Sequence, residues 1–363
     1  MKRILMRTVA VCLAAVLLYP VQCHSISARK AILIDGATGR VLYEKNADSK
    51  SLIASTTKIM TALIVCEQVN VLDRVRICKE AVGVEGSSMY LREGEVLTVQ
   101  ELLYGLMLCS GNDAAVALAI YCGGSVEGFA QLMNDKARML GLNNTHFVNP
   151  HGLDHPQHYS TARDLGLLAR YAMNNPLFAM TVSTKNITVG ERRLTNHNKL
   201  LWRVDGADGV KTGFTKAAGR ILVSSAVRNG RRLIAVTIDD GDDWRDHEKL
   251  LEEGFSRYRQ TRIVMKGEKL GTFQVFGGTE EQVDLIAAED FAYPLAADEK
   301  PEVYLSGKDF VYAPVRKHTH ACWAYICIDE KTVGKIKVVY SASVQMQEED
   351  QRRFWKGLLG GTP

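Results

Sequence analysis

The sequence of 363 residues has only a small excess of positive charge and only one long apolar run. Its formal net charge is +4. Three of the positive charges, Lys2, Arg3 and Arg7, lie in an N-terminal segment that we expect to be removed, which leaves a net charge of about +1 on the mature chain. This balance excludes the strongly basic class of nucleic-acid-binding proteins, and no nucleic-acid partner is expected. No second run is long and apolar enough to suggest a membrane-spanning helix.

The eight cysteines show no regular framework of the kind found in small disulfide-rich domains. Cys12 and Cys23 lie within or beside the N-terminal segment. Cys66 and Cys109 lie inside apolar helical runs, which favours buried thiols, and the disulfide state stays open. The sequence also has no internal repeat and no low-complexity segment.

Metal-binding motifs are equally scarce. His146, His151, His155 and His158 lie in one loop, and imidazoles are good zinc ligands. The pattern H-E-x-x-H is absent, however. We therefore expect neither a metal site nor a cofactor.

The N-terminus has the three parts of a secretory signal peptide. A basic start, MKRILMR, precedes an apolar stretch, TVAVCLAAVLLY, and a region suited to cleavage, PVQCHSISA. We expect residues 1–28 to direct export, so that the protein acts outside the cytoplasm, at the cell wall or the outer face of the cytoplasmic membrane. An uncleaved anchor is the alternative and would place the bulk of the chain on the same side.

Strand and helix patterns divide the rest of the chain. Residues 30–47 alternate around a GATGR turn, as in a hairpin, and residues 219–238 hold two strands around Asn229–Gly230. Between them, from 52 to about 180, apolar residues recur at three-to-four-residue spacing, as in helices. We predict an α/β fold of the α+β kind, in which an antiparallel sheet is completed by both ends of the segment and closed by a helix at 244–258.

A second, all-β domain is predicted to follow the first. After about residue 262 the chain shows short alternating strands separated by glycine. The length of 363 residues, 46% of them hydrophobic, gives soft support for two domains. We place the main domain at 29–262, the β domain at 263–345 and a tail at 346–363.

The stretch STTK, Ser55 to Lys58, directly precedes an apolar helical run. Positions i and i+3 share one face of a helix, so the hydroxyl and the amine can meet at its first turn. The alternative is an ordinary polar helix start, because Ser and Thr cap helices routinely. The pattern also occurs at Ser27–Lys30, where no helical run follows.

Two further motifs favour chemistry at Ser55. Ser110-Gly111-Asn112 lies between two helical runs, and Lys211-Thr212-Gly213 directly precedes the predicted strand pair. Each motif alone is weak. The ordered set S-x-x-K, S-x-N and K-T-G is typical of penicillin-binding proteins and β-lactamases.

With these motifs the chain resembles the low-molecular-mass penicillin-binding proteins that act as D-alanyl-D-alanine carboxypeptidases. The resemblance covers about 30–260, and the β domain more loosely. It implies a β-lactamase/transpeptidase-like domain with a helical subdomain. It also implies removal of the terminal D-alanine from peptidoglycan pentapeptide through an acyl-enzyme. The stretches that carry the resemblance are AILIDGATGRVLYEKNAD, IASTTKIMTALIV, LLYGLMLCSGNDAAVALA, NPHGLD…HYSTARDL, TNHNKLL and DGVKTGFTKAAGR.

The resemblance also implies catalytic roles. Ser55 attacks the carbonyl between the two D-alanines, and Lys58 takes the Ser55 proton. Ser110 relays the proton to the leaving amine, while Asn112 holds the substrate amide and orients Lys58. Which residue acts as the base at such sites is disputed.

Four neighbouring residues are implied in substrate binding. Lys211 and Thr212 receive the terminal carboxylate, a charge-assisted contact that explains a preference for free C-termini. Gly213 lets a strand edge approach the substrate, and the N–H of Phe214 completes the oxyanion hole.

The expected partners are peptidoglycan stem peptides and, as covalent inhibitors, β-lactam antibiotics. The tail segment 348–361 places Phe354, Trp355, Leu358 and Leu359 on one helical face, with acids at its start and bases near its middle. We expect this tail to contact the membrane surface. A short helix docked on the β domain is the alternative.

Three other functions compete with carboxypeptidase activity. A DD-endopeptidase would use the same residues on crosslinked peptides. A class A β-lactamase needs a glutamate in an E-x-x-L-N pattern, which neither Glu127 nor Glu191 begins. A non-catalytic penicillin-binding or cell-wall-binding module would require a damaged site, whereas every motif residue is present.

Overall fold

A computed structural model describes residues 26–348 of the protein. Most of the expected signal segment, up to residue 25, and most of the predicted tail, from residue 349, lie outside the described residues. The description below applies to residues 26–348.

The centre of the first domain is a five-stranded antiparallel sheet with the strand order β2-β1-β9-β8-β7. As predicted, both ends of the segment contribute to it. Its strands are β1 (Lys30–Asp35), β2 (Val41–Lys45), β7 (Ala207–Thr215), β8 (Gly219–Arg228) and β9 (Arg231–Ile238).

Helices cover both faces of this sheet. On one face Ile32 and Val236 pack with Leu165 of the helical region, and on the other Leu33 packs with Leu250 of the closing helix. Because both faces are covered, the central strands are apolar on both sides. The helices are α1 (Lys58–Gln68), α2 (Val99–Met107), α3 (Asn112–Gly123), α4 (Val126–Met139), α5 (Ala162–Ala172), α6 (Pro176–Ser183), α7 (Leu200–Arg203) and α8 (Asp243–Arg257).

Short strands and 3-10 turns connect the helices. Thr98 begins α2 with a capping box, in which its side chain accepts from the Glu101 N–H and the Glu101 carboxylate accepts from the Thr98 N–H. The connecting elements are 3-10 turns at Ala54–Thr57 and Lys79–Ala81 and the strands β3 (Arg74–Arg76), β4 (Val96–Thr98), β5 (Asn186–Val189) and β6 (Arg192–Thr195).

The second domain is all-β, which confirms the predicted fold class. One six-stranded sheet has the order β14-β16-β17-β12-β11-β15, and β10 pairs separately with β13. Phe273, Leu285, Ile326 and Val338 lie in its own apolar core. Its strands are β10 (Tyr258–Val264), β11 (Lys269–Phe276), β12 (Gln282–Ala287), β13 (Phe291–Ala296), β14 (Glu302–Leu305), β15 (Phe310–Tyr312), β16 (His320–Ile328) and β17 (Lys331–Tyr340).

Arg40 joins the turn of the first hairpin to the β10–β13 pair. Its guanidinium donates to the Pro294 carbonyl and the Glu299 carboxylate, and it lies 5.1 Å from the Tyr258 ring centre and 5.2 Å from that of Tyr293. The two domains are therefore held by a charged contact as well as by the chain.

Within residues 26–348 no single helix has both the length and the apolar character needed to cross a membrane. The pair α3 and α4 meets the criteria jointly but is bent by 81°. Much of α3 is buried in the main apolar core.

Candidate active site

Ser55 and Lys58 lie on one helical turn. Ser55 is in the 3-10 turn Ala54–Thr57, and α1 begins at Lys58. The Lys58 Nζ lies 3.0 Å from the Ser55 Oγ. The i, i+3 spacing thus brings an amine onto a serine hydroxyl, as the sequence pattern predicted.

The surroundings of Lys58 suit an uncharged amine. Its Nζ is 2.7 Å from the Asn112 Oδ1 and 2.7 Å from the His151 carbonyl oxygen. Both oxygens can only accept, and a neutral amine has two N–H donors for them. Its lone pair then faces the Ser55 hydroxyl, which is the arrangement that a general base requires.

Burial lowers the pKa of Lys58 well below its ordinary value, and the nearby positive charge of Lys211 acts in the same direction. The Lys58 side chain is fully buried. The lowered pKa makes the Lys58 amine a better proton acceptor than an exposed lysine, which holds its proton more tightly.

Asn112, the first residue of α3, is held in a fixed orientation. Its Nδ2 donates to the Glu85 carbonyl, and its backbone N–H donates to the Ser87 carbonyl over 2.7 Å. Since the amide nitrogen is engaged there, the Oδ1 is directed at Lys58.

Asp113 stabilises the loop that contains the Glu85 and Ser87 carbonyl groups. It is 1% exposed and accepts from the Ser88 hydroxyl over 2.6 Å and from the N–H groups of Met89 and Leu91, each over 3.1 Å. No sequence motif predicted that this loop lies at the site. Its stretch, GVEGSSMYL, has no pattern that connects it to Asp113.

Ser110 lies in the turn before α3. Its φ of 64° is in the left-handed region, and its side chain is 4% exposed. The Gly111 N–H closes the turn by donating to the Gly105 carbonyl over 3.0 Å. Ser110 lines the same cleft as Ser55.

Lys211, Thr212, Gly213 and Phe214 lie in β7, the edge strand beside the Ser55 turn. A Cβ on Gly213 would lie 3.3 Å from the Ser55 nitrogen, so the strand edge passes close to that N–H. Phe214 is 65% exposed. A side chain at position 213 would press against the Ser55 turn, so glycine allows this close approach of the strand.

Lys211 is buried, and burial lowers its pKa to about 8. Its Nζ donates to the Thr212 carbonyl over 3.0 Å. None of the ion pairs among residues 26–348 includes Lys211, so its amine has no carboxylate partner there.

The cleft that contains Ser55 has a volume of about 320 Å³. Its lining does not include the buried side chains of Lys58, Asn112 and Lys211. Lys58 contacts Ser55, which does line the cleft. A larger cavity of about 940 Å³ lies near β10 and β13 and is lined by none of the predicted site residues. The smaller cleft is lined by Ser55, Ser87, Ser110, His197, Thr212, Gly213, Phe214, Arg220, Asp243 and Trp244.

Arg220 and Asp243 are cleft residues that the sequence analysis did not identify. Arg220 lies opposite Phe214 in the β7–β8 register, and its Nε donates to the Asp243 carboxylate over 3.2 Å. The Arg220 side chain is 43% exposed and that of Asp243 5%. The arginine therefore presents charge to the cleft while its position is fixed from behind, and no motif in the sequence indicates it.

The four-histidine loop supports the Ser55 turn. The two ring nitrogens of His158 contact the Thr57 Oγ1 over 2.7 Å and the Val148 N–H over 3.1 Å. Burial lowers the pKa of His158 to about 3 and that of His151 to about 4. No group of three or more His, Cys, Asp or Glu side chains between residues 26 and 348 is arranged to hold a metal ion.

All six cysteines within residues 26–348 are free thiols. Burial raises the pKa of Cys109, which directly precedes Ser110, so its thiol stays protonated at neutral pH. Cys109 donates to the Gly105 carbonyl over 3.1 Å. The Cys109 side chain packs against the apolar core of the first domain.

Comparison with protein families gives two matches. The family described as D-alanyl-D-alanine carboxypeptidase (Peptidase S11) matches residues 19–242. The family described as penicillin-binding protein 5, C-terminal domain, matches residues 258–346.

Two known carboxypeptidases and one crystal structure are similar to this chain across both matched regions. The chain is 34% identical over 308 residues to the D-alanyl-D-alanine carboxypeptidase DacF of Bacillus subtilis, covering 80% of this chain and 79% of that protein. It is 39% identical to DacC of Escherichia coli over 285 residues, 74% of this chain and 71% of the other. The crystal structure of penicillin binding protein 5 from Haemophilus influenzae superposes with a TM-score of 0.76 at 30% identity, over 90% of this chain and 100% of that one.

Proposed function

Because the chain belongs to the D-alanyl-D-alanine carboxypeptidase family of serine peptidases, we propose that Ser55 is the nucleophile of this activity and Lys58 its general base. The family removes a terminal D-alanine from peptidoglycan peptides through an acyl-enzyme, which penicillins also form. One observation carries the assignment, namely a buried Lys58 amine 3.0 Å from the Ser55 hydroxyl and otherwise surrounded by acceptors.

The proposed acylation moves one proton twice. The Ser55 Oγ bonds to the carbonyl carbon between the two D-alanines while its proton passes to the Lys58 Nζ. The tetrahedral intermediate then collapses, the C–N bond breaks, and the leaving amine takes a proton that Ser110 relays from Lys58. Water repeats the sequence on the acyl-enzyme and releases the shortened peptide.

Two backbone N–H groups are assigned to the developing oxyanion, those of Ser55 and Phe214. The close approach of Gly213 to the Ser55 nitrogen supports this assignment, because Phe214 is the next residue of that strand and lines the same cleft as Ser55. Asn112, besides orienting Lys58, is assigned to the substrate amide.

Lys211 and Thr212 are assigned to the terminal carboxylate of the substrate. Lys211 is a buried cation without a carboxylate partner among residues 26–348. A substrate carboxylate would supply that partner, which accounts for a preference for free C-termini.

Release of D-alanine from a pentapeptide muropeptide, measured beside cleavage of a crosslinked muropeptide dimer, tests the proposed substrate. We expect release from the pentapeptide to be the faster reaction. Faster cleavage of the dimer would instead make the protein a DD-endopeptidase, and rapid turnover of nitrocefin would make it a β-lactamase.

We also propose that the chain is exported, and that the removed segment ends earlier than residue 28. Ile26 and Ala28 are buried, and the backbone N–H groups of Ser27 and Ala28 both donate to Asp246. Cleavage after residue 28 would remove these contacts from the core. N-terminal sequencing of the exported protein should give a first residue at or before Ile26, and a start at Arg29 would contradict this proposal.

A further inference from the structure

The β domain carries an exposed group of aromatic rings. Phe276 at the end of β11 and Phe310 and Tyr312 on β15 form this aromatic cluster, with ring centres 5.6 to 5.9 Å apart. Phe276 is 52% exposed and Tyr312 70%. Three rings that contact one another and still face water leave apolar surface uncovered, which in a folded domain marks an interaction surface.

The aromatic cluster lies where the described chain ends. The Phe276 carbonyl accepts from the Ala313 N–H over 3.0 Å, and the next carbonyl, that of Gly277, accepts from the Gln347 N–H over 2.9 Å. The described residues therefore end close to Phe276. The sequence of the tail contains Phe354 and Trp355, which are side chains that favour membrane interfaces.

The charges around the aromatic cluster are mixed. Lys308 lies 5.1 Å from the Phe310 ring centre, but Asp309 and Glu280, which are close in sequence to Phe310 and Phe276, are exposed as well. Charge alone does not select the ligand. Aromatic rings flanked by charged side chains are typical of proteins that rest at the level of lipid headgroups.

We propose that the aromatic cluster of Phe276, Phe310 and Tyr312 is a second membrane contact, which rests on a phospholipid bilayer beside the point where the tail leaves the β domain. It adds to the proposed contact of the tail, and it does not depend on the catalytic assignment. Two contacts side by side would fix how the domain stands on the membrane, which a single anchored tail does not.

The test compares full-length protein with the double variant Phe276→Ser/Tyr312→Ser. The matched control is Val303→Ser/Tyr304→Ser on β14, the opposite edge strand of the same sheet, where these side chains are 38% and 53% exposed. Binding is measured by sedimentation with vesicles of phosphatidylethanolamine and phosphatidylglycerol. We expect about tenfold weaker binding for the cluster variant, because about two exposed rings lose their contact with lipid, and no change for the control.

The same pair of variants in a chain ending at residue 348 separates the two contacts. The aromatic cluster should still lower the residual binding when the tail is absent, and D-alanine release in solution should be the same in all variants. Equal vesicle binding by the cluster and control variants would overturn the proposal. So would faster amide hydrogen exchange in β15 after tail deletion without vesicles, because the tail would then be what covers the cluster.

Discussion

The chain contains the pattern S-x-x-K twice, and the two copies differ in what their side chains contact. In the second copy Ser55 and Lys58 meet at 3.0 Å. In the first copy the Ser27 hydroxyl is 2.8 Å from Asp240 and 2.9 Å from Asp246, while the Lys30 Nζ donates to the Lys50 carbonyl over 3.1 Å and to the Ser51 hydroxyl. The same four-letter spacing thus brings the serine and the lysine together in one place and gives each of them other partners in the other.

The backbone explains the difference. Ser55 and Lys58 lie on a helical turn, where positions i and i+3 share a face, whereas Lys30 begins the extended strand β1. Burial lowers the pKa of Lys30 too, so a perturbed lysine alone does not make a base. Lys30 also contacts a hydroxyl, that of Ser51, but Ser51 does not line the cleft that contains Ser55. A base therefore also needs a hydroxyl that faces the cleft.

Replacing the two serines should give the largest contrast. We expect Ser55→Ala to abolish covalent labelling by penicillin and to lower D-alanine release by at least about a thousandfold, because the nucleophile is lost. Ser27→Ala should keep nearly full activity. Labelling is followed with a fluorescent penicillin, and persistent labelling of Ser55→Ala would refute the assignment.

Replacing the two lysines with arginine should give the next largest effect. Arginine stays protonated and has no lone pair to accept the Ser55 proton, so Lys58→Arg should slow acylation by about a hundredfold or more. Lys30→Arg should acylate like the unmodified protein. The measurement is the acylation rate at neutral pH, with thermal unfolding to verify the fold. A Lys58→Arg variant that is folded and acylates normally would show that Lys58 supplies charge and is not the base.

The spacing of apolar residues and the positions of turn residues predicted much of the fold. The alternation at 30–47 corresponds to β1 and β2, the Asn229–Gly230 turn joins β8 and β9, and the closing helix lies at Asp243–Arg257. The strand β13 was not anticipated, since its sequence, FAYPLA, contains Pro294, and proline normally argues against a strand. Here β13 pairs only with β10, an edge position that tolerates proline.

The motifs predicted the chemical groups of the site but not what holds them. Ser55, Lys58 and Asn112 meet as the ordered motifs indicated. The His151 carbonyl was missed as a partner of Lys58, since a backbone carbonyl leaves no signature in sequence. Arg220 was missed because it enters the cleft through the strand register opposite Phe214, which a pattern of residue types does not encode.

Lys211→Ala is expected to have a smaller effect that depends on the substrate. A charge-assisted contact contributes about 1.5–3 kcal/mol, so kcat/KM for a peptide with a free C-terminus should fall about 10- to 100-fold. The same peptide with an amidated C-terminus should be affected much less. Equal losses on both peptides would argue against carboxylate recognition.

The pH dependence of the unmodified protein provides a second test of the contact between Lys211 and the substrate carboxylate. Burial lowers the pKa of Lys211 to about 8, so its positive charge is present below that pH and is lost as the pH rises through it. KM for the free-carboxylate peptide should therefore rise above about pH 8, and KM for the amidated peptide should not. A parallel rise for both would assign the titration to another group.

The smallest effect should come from Ser27→Ala, and it concerns stability. Asp240 is 2% exposed, and burial, followed by the effect of nearby Asp246, raises its pKa. The Ser27 hydroxyl is a donor to this carboxyl group, so its removal should cost about 1 kcal/mol of unfolding free energy at neutral pH. Because Asp240 needs that donor only when ionised, the loss should shrink as the pH falls through its raised pKa. Urea unfolding of Ser27→Ala and the unmodified protein at pH 7 and pH 4 measures this, and a loss that grows on acidification would exclude the proposed role of Ser27 in holding the N-terminal segment.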